Sequence, residues 1–283
     1  DEVRRKFFGT LYNTYSFFSL YANVDGFNYS EKEVENRPEI DRWILSELNL
    51  LVKDVTEFYE DYEPTKVARA INNFVNDNLS NWYVRLCRRR FWKGDYSADK
   101  ISAYQTLYTC LETVTILSSP IAPFFMDQLF CDLNKVSSKH EAESVHLAYF
   151  PKADESIIDL NLEGQMDVAQ RVSSLVLSLR KKEKIKVRQP LQKIMVPILD
   201  PTFKSRIEHV KELILAEVNV KEMELLEDTT GVLVKKIKPN FKTIGPKYGK
   251  QMKSIAALVS AWDQQAIAEV EAKGGWNGEV DGT

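Results

Sequence analysis

Cysteine is scarce in this sequence. Cys87, Cys110 and Cys131 are the only three, and no two of them form a CxxC pair. That spacing offers neither a zinc cage nor a disulfide framework, and it fits a reducing compartment such as the cytoplasm. Histidine is equally sparse: His140, His146 and His209 stand in no local signature with a serine or cysteine nucleophile and make no metal pair at helical spacing. Neither GxxxxGK[ST] nor GxGxxG occurs, so no phosphate loop or dinucleotide turn is expected. "IGPKYGK", residues 244–250, is glycine-bounded and basic but has the spacing of neither. Carboxylate runs such as "FYEDYE" read as solvated helix ends. No apolar run is long enough to span a bilayer and no signal-peptide pattern is present, so no membrane partner is expected.

Net positive charge is also missing. With 38 Lys and Arg against 41 Asp and Glu, the formal charge is −3, which excludes a simple polycation that coats nucleic acid. Any basic function must come from local patches. The 283 residues, 44% of them hydrophobic, suffice for two domains, each with its own core. The chain opens at Asp1 in a helical pattern and closes in the loop-like "GGWNGEVDGT", which reads as a piece of a larger protein.

Apolar spacing predicts a mainly α fold: an antiparallel helical bundle over residues 1–150, followed by a small α+β domain over 151–283. Phe7, Leu11, Tyr15 and Phe18 recur at helical steps, then Trp43, Leu45, Leu48, Val52, Val55 and Tyr59 do so over a longer stretch. Thr65 is placed to cap a helix running from Lys66 to Trp92, with Gly94 ending it. Another helix spans 98–117, Pro120 breaks the chain, and Pro123 opens the next helix. Beyond His146 a linker leads to a helix with Met166, Ala169, Val172, Val176 and Leu179 on one face. Short strands are expected at Ile185–Val187, Lys193–Leu199, Val218–Leu226 and Val232–Lys238, with a helix from Phe203 to Ala216. Two glycine-bounded turns lead to a final helical segment.

Three basic runs stand out. In "LSNWYVRLCRRRFWKGDY", residues 79–96, Arg85, Arg88, Arg89, Arg90 and Lys93 appear with no acid before Asp95. At about 100° per residue, Leu79, Tyr83 and Leu86 share an arc facing the core, with Trp82 at its edge. Arg85, Arg88 and Trp92 fall opposite, with Arg89 between. Arg90 falls back on the apolar arc, where a guanidinium needs a buried carboxylate; Asp41, Glu47 and Glu112 are candidates. Residues 180–193, "RKKEKIKVRQPLQK", set Arg180, Lys181, Lys182, Lys184, Lys186, Arg188 and Lys193 against Glu183 alone. Residues 235–253 carry seven lysines and no acid, interleaved with Phe241 and Tyr248. One such run is ordinarily a solvated face; three in a chain of net negative charge point to RNA, where cations meet phosphate and flat side chains stack on bases.

The stretches "GTLYNTYSFFSLYANVDGF", "DRWILSELN", "DNLSNWYVRLCRRRFWKGDYSADKISAYQTLYTCLETVTILSSPIAPFFMDQLF", "KIKVRQPLQKI", "NVKEMEL" and "KPNFKTIGPKYGK" together resemble the isoleucyl-tRNA synthetase family of class I aminoacyl-tRNA synthetases. The likeness is to its C-terminal anticodon-binding region, on the branch similar to eukaryotic cytosolic enzymes, and covers nearly the whole chain. "SNWYVR…RRRFW" is shared in outline by the valine and leucine enzymes; the opening and the later motifs point to isoleucine.

The resemblance implies an all-helical anticodon-binding domain with a smaller α/β domain behind it, and a fragment that begins just after the catalytic core. HIGH and KMSKS signatures are not found, and "GKQMKSI" at 249–255 is an accidental echo of the second. No editing domain is present, nor the zinc cysteines at the C-terminus of many bacterial relatives. The isolated chain is thus expected to be catalytically inactive and to need no cofactor. ATP and Mg belong to the whole enzyme, which activates isoleucine and charges tRNA(Ile). Expected partners are the tRNA(Ile) anticodon arm and the catalytic domain of the same polypeptide, in a cytoplasmic monomer. The candidate tRNA-binding residues are Arg85, Arg88, Arg89, Trp92 and Lys93, then Lys182, Lys186 and Arg188, then Lys242, Lys247 and Lys250, with Arg90 kept for a structural ion pair. The alternatives are the same region of a valyl- or leucyl-tRNA synthetase, or a non-catalytic helical module that binds acidic protein partners.

Overall fold

The computed structural model describes residues 2–29, 37–93, 95–198, 200–227 and 236–276, with backbone alone at 250, 271 and 272. The chain divides into two compact units, one of residues 1–192 and 202–221, the other of 193–201 and 222–283.

The first unit is a bundle of helices. A π-helical turn, Arg4–Phe8, leads into α1, Gly9–Asp25. Gly26 stops α1 at φ 64°, a left-handed position that glycine takes without strain, and the Phe27 N–H returns to the Ala22 carbonyl at 2.8 Å. Helix α2, Glu39–Glu60, buries Trp43, Ile44, Leu48, Leu51, Val52 and Val55 at three- and four-residue steps. Then α3, Pro64–Asn73, runs on through a π-helical stretch, Phe74–Val84, into α4, Arg85–Trp92. Helix α5, Ala98–Ser118, is buried on nearly every face, which makes it the centre of the bundle. Ser97 caps it by accepting the Lys100 N–H at 3.3 Å. Helix α6 spans Pro123–Ser137 and α7 spans Leu160–Lys182, the latter capped by Asp159. The chain between them comes back along α2, where the Asn49 side-chain oxygen accepts the Asp154 N–H and the Ser46 hydroxyl accepts the Asp159 N–H, each at 2.8 Å.

Strand β1, Leu191–Pro197, pairs with β2, Val220–Leu226, and between them lie α8, Pro201–His209, and α9, Lys211–Val218. The Leu191 N–H meets the Asn219 carbonyl and the Ile198 N–H the Leu226 carbonyl, a register that rises together and makes the pair parallel. Parallel pairing demands a crossover, and α8 and α9 supply it. Gly164 gives α7 the room that Arg206 of α8 uses: a Cβ there would clash with the guanidinium group. The second unit carries α10, Phe241–Tyr248, α11, Met252–Ser260, and α12, Gln264–Lys273. Asn240 and Asp263 cap α10 and α12, and the Trp262 and Trp276 ring centroids lie 5.4 Å apart.

Several local expectations are corrected. Pro64, not a residue beyond Thr65, is the first helical position of α3, and the Thr65 side chain caps nothing. The long helix gives way to an extended residue at Lys93; Gly94 lies outside the described residues. Ile185–Val187 is a turn and not a strand, since side chains take the carbonyls a partner strand would need. Val218 ends α9, so β2 begins two residues later than its apolar pattern. The expected helix from Phe203 to Ala216 is two helices, parted at Val210 with ψ near 10°. The strand expected at Val232–Lys238 lies outside the described residues at 232–235, and 236–238 form none. Leu179 is exposed, and Arg180 occupies the buried place on α7 instead.

The carboxylate of Asp41, with no exposed surface, ties three helical elements together. Its Oδ1 accepts from the Tyr83 hydroxyl at 2.8 Å and from Arg90 Nη1 at 2.6 Å; its Oδ2 accepts from Arg90 Nη2 at 2.9 Å and from the Ser102 hydroxyl at 2.6 Å. Arg90 also donates to the Asp99 carboxylate and carbonyl at 2.9 and 2.8 Å. Burial opposes the guanidinium charge, but Asp41 more than offsets it, so the pKa of Arg90 is raised. Burial also pushes the Cys87 thiol, 3.5 Å from Arg90 Nη1, up to about 12, so the adjacent guanidinium does not activate it.

The half-buried carboxylate of Glu47 has no cationic partner among the described residues. Glu47 accepts from the Trp43 indole at 3.2 Å and the Asn78 amide at 2.9 Å, while Glu163 and Asp167 of α7 repel it. Burial first, then Glu163, pushes its pKa up to about 7.

Two expectations follow from these carboxylates. Arg90→Ala strands Asp41 and costs on the order of 3–5 kcal/mol, whereas the exposed Arg88→Ala costs under about 0.5 kcal/mol; equal melting temperatures for the two variants would overturn the assignment. Glu47 holds its proton more tightly folded than unfolded, so its contribution to stability is lost as pH rises from the ordinary glutamate range through about 7. By linkage the loss is on the order of 3 kcal/mol. Glu47→Gln imitates the protonated form and should flatten that part of a stability–pH curve, measured by urea unfolding against the parent.

Candidate nucleic-acid interface

The basic helix α4 presents Arg85, Arg88, Arg89 and Trp92 outward, with Lys93 just beyond, while Cys87 and Phe91 are buried. Its orientation follows from the π-helical stretch before it. Hydrogen bonds that skip five residues widen the helix, so each residue there advances less than 100°. The strict wheel therefore misplaces two side chains: Trp82 is buried rather than marginal, and Leu86 is only partly covered. Arg88, Arg89 and Lys93 make no ion pair among the described residues. Trp92 is 50% exposed beside them, a flat apolar face among free cations. Arg85 is not free. It donates to Glu217 of α9 and, at 2.7 Å, to the Asn81 carbonyl, and its guanidinium carbon lies 5.5 Å from the Trp82 ring centroid.

The second basic run is a turn built around one of its own residues. Arg180 is only 2% exposed. Its Nη1 donates to the carbonyls of Lys186 and Gln189 at 3.2 and 3.0 Å, and its Nη2 to that of Asn219 at 2.9 Å. Asn219, left-handed at φ 52°, sends its side-chain amide to the Val187 carbonyl at 2.8 Å. Lys184 is also left-handed, at φ 58°, and lets the Ile185 N–H close on the Arg180 carbonyl at 2.8 Å. Lys182, Lys186 and Arg188 stay exposed, without ion pairs among the described residues.

Helix α9 brings these two runs to one place in the first unit. Glu217 holds Arg85, and Asn219, two residues on, holds the turn at Val187. Sequence reasoning missed Glu217 and Asn219 entirely and counted Arg180 as a surface cation. A signal existed for Arg180, which lies four residues beyond Val176 on the apolar stripe of α7, and for Asn219, since asparagine is the side chain most at ease in a left-handed cap.

The third run belongs to the second unit. Lys242 and Lys247 are exposed on α10 with Phe241 and Tyr248 beside them; the Lys250 side chain and Lys235 lie outside the described residues. Two of the histidines lie beside carboxylates. His140 Nε2 lies 2.9 Å from buried Glu112, which also accepts from Lys139, and His209 Nε2 lies 3.0 Å from Glu39. Among the described residues no three His, Cys, Asp or Glu are placed to hold a metal ion, and no helix is long and apolar enough to cross a membrane.

A helical bundle that pins Arg90 and Arg180 inside and leaves other cations without ion pairs outside offers a surface suited to a polyanion such as RNA. The chain belongs to the family of anticodon-binding domains of tRNA ligases, whose model matches residues 41–195. Over its whole length it is also similar to isoleucine–tRNA ligases. The isoleucine–tRNA ligase of Bacteroides fragilis is 60% identical over 284 residues, covering all of this chain and 25% of that protein. Those of Bacteroides thetaiotaomicron and Cytophaga hutchinsonii are each 59% identical, over 100% and 95% of this chain and 24% of their own length. The chain thus spans about a quarter of the relatives it matches. All three are bacterial, so the likeness to eukaryotic cytosolic enzymes drawn from the sequence gains no support from them.

Proposed function

We propose that the chain is the tRNA-binding part of an isoleucine–tRNA ligase and takes hold of the anticodon arm of tRNA(Ile). The observation that carries this reading is the meeting of two unpaired basic elements at the end of α9, in a chain of the anticodon-binding family. Arg88, Arg89 and Lys93 on one side, with Lys182, Lys186 and Arg188 on the other, would neutralise backbone phosphates, and Trp92 would offer a stacking face to an unpaired base. Lys242, Lys247 and Lys250 of the second unit would add a further set of phosphate contacts. In this reading the ligation of isoleucine, with its ATP and Mg, is carried out by the rest of a longer polypeptide that acts as a monomer. The free thiols of Cys87, Cys110 and Cys131 support a cytoplasmic setting.

Titration of the chain with tRNA(Ile) at two salt concentrations tests the reading, with tRNA(Val) and tRNA(Leu) as competitors. Affinity should fall steeply as salt rises. Arg88→Ala and Arg89→Ala should each reduce the slope of log affinity against log salt by about one unit. Arg85→Ala should change the slope less, because Glu217 already neutralises it. Absence of saturation by tRNA, or preference for a competitor, would defeat the assignment.

A further inference from the structure

The turn after α7 carries a feature that its cations alone do not explain. Arg180 is a buried guanidinium with no carboxylate partner among the described residues; three backbone carbonyls meet its two terminal nitrogens instead, and its Nε has no partner there. Among the described residues no peptide bond is cis. In a planar trans peptide the carbonyl and the N–H point in opposite directions. The Lys186 carbonyl faces Arg180, so the Val187 N–H points away from that guanidinium. The Val187 carbonyl faces the Asn219 side chain, so the Arg188 N–H points away in turn. Neither N–H donates to any group among the described residues. The exposed side chains of Lys186 and Arg188 flank this pair.

We propose that residues 186–188 form a preformed seat for one phosphodiester of an RNA backbone, and that Arg180 and Asn219 are positioning residues that hold it open. The proposal rests on the tRNA-binding reading above and names where the backbone is held. Two successive outward N–H groups flanked by cations suit an anionic oxygen cluster. The buried charge of Arg180 draws the negative ends of the peptide dipoles inward and so turns their positive ends toward the ligand. A polymer of phosphates fits better than an isolated carboxylate. The run from Arg180 to Arg188 holds one acid, Glu183, and the same α9 end that holds the turn also holds the α4 helix through Arg85. Because the clamp is closed in the free chain, binding does not have to order the turn first.

The test uses the full chain, with backbone N–H resonances of Val187 and Arg188 followed during titration with tRNA(Ile), and with Asn219→Gly as the decisive variant. Glycine takes φ near 52° freely, so the backbone and the fold stand while the bond to the Val187 carbonyl is lost. The expected results are movement of both resonances at saturation, and about a fivefold loss of tRNA affinity in Asn219→Gly with the salt slope unchanged, since no cation is removed. Arg188→Ala should instead lower the slope by about one unit. Stationary resonances would overturn the seat, and parent-like affinity in Asn219→Gly would overturn the clamp. If Arg88→Ala still lost affinity in either case, the tRNA-binding reading would survive without this inference. No saturation of the parent chain would sink both. Saturation of the same two N–H groups by millimolar inorganic phosphate, with no response to tRNA, would make the turn a free-anion site and overturn the RNA assignment.

Discussion

Asp41 sits fully inside the bundle, and the first unit is arranged so that its oxygens are met. A carboxylate removed from water is tolerated only when donors replace the lost hydration. Here they come from Tyr83 in the π-helical stretch, Arg90 in α4 and Ser102 in α5, while Asp41 itself belongs to α2. That requirement fixes the rotation of α4 about its axis. Once Arg90 must reach inward with both terminal nitrogens, Arg88 and Arg89 can only point out. The basic surface is therefore a consequence of a buried ion pair on the same helix, two residues away.

The turn at 183–190 applies the same logic with the acid left out. Arg180 is more deeply buried than Arg90, the partner of Asp41, but its terminal nitrogens are met by carbonyls, whose dipoles stabilise the guanidinium without cancelling its charge. A carboxylate in that place would neutralise the region where Lys182, Lys186 and Arg188 gather. The difference between the two arginines is one of purpose: a closed ion pair stiffens the core, while a carbonyl cage stiffens a surface and keeps it positive.

Much of this was legible in the sequence, for reasons that particular residues make plain. The stripe from Trp43 to Val55 and the Pro123 start carry their own geometry, and Arg90 betrayed its inward course by sharing an arc with Leu79 and Tyr83. The reading failed where geometry departs from a regular period. A 100° wheel cannot know that Phe74–Val84 is π-helical, so Trp82 and Leu86 came out misplaced. A short strand-like run was read at Ile185–Val187, but the decision belonged to Arg180 and to Asn219, more than thirty residues further along the chain. For the same reason Arg85 looked equivalent to Arg88: nothing local to α4 reveals that Glu217 will reach it.

That last contact bears on how a chain of net charge −3 can face a polyanion. Electrostatic attraction at close range depends on which charges remain unpaired at the surface, because in physiological salt an exposed charge more than about 8 Å from a ligand is largely screened from it. Asp41, Glu112 and Glu217 are spent on partners, Arg90, Lys139 and Arg85 respectively. These pairs remove as many cations as anions from the account, so they leave the balance unchanged but alter where it is felt. Arg88 and Arg89 on α4 and Lys93 just beyond it make no ion pair among the described residues, and the clamped turn adds Lys182, Lys186 and Arg188 near the end of the same α9 that restrains Arg85. The overall formal charge thus says little about this face. What decides its character is the pairing pattern set by the packing of α2, α4, α5 and α9, and that pattern leaves the cations in one neighbourhood.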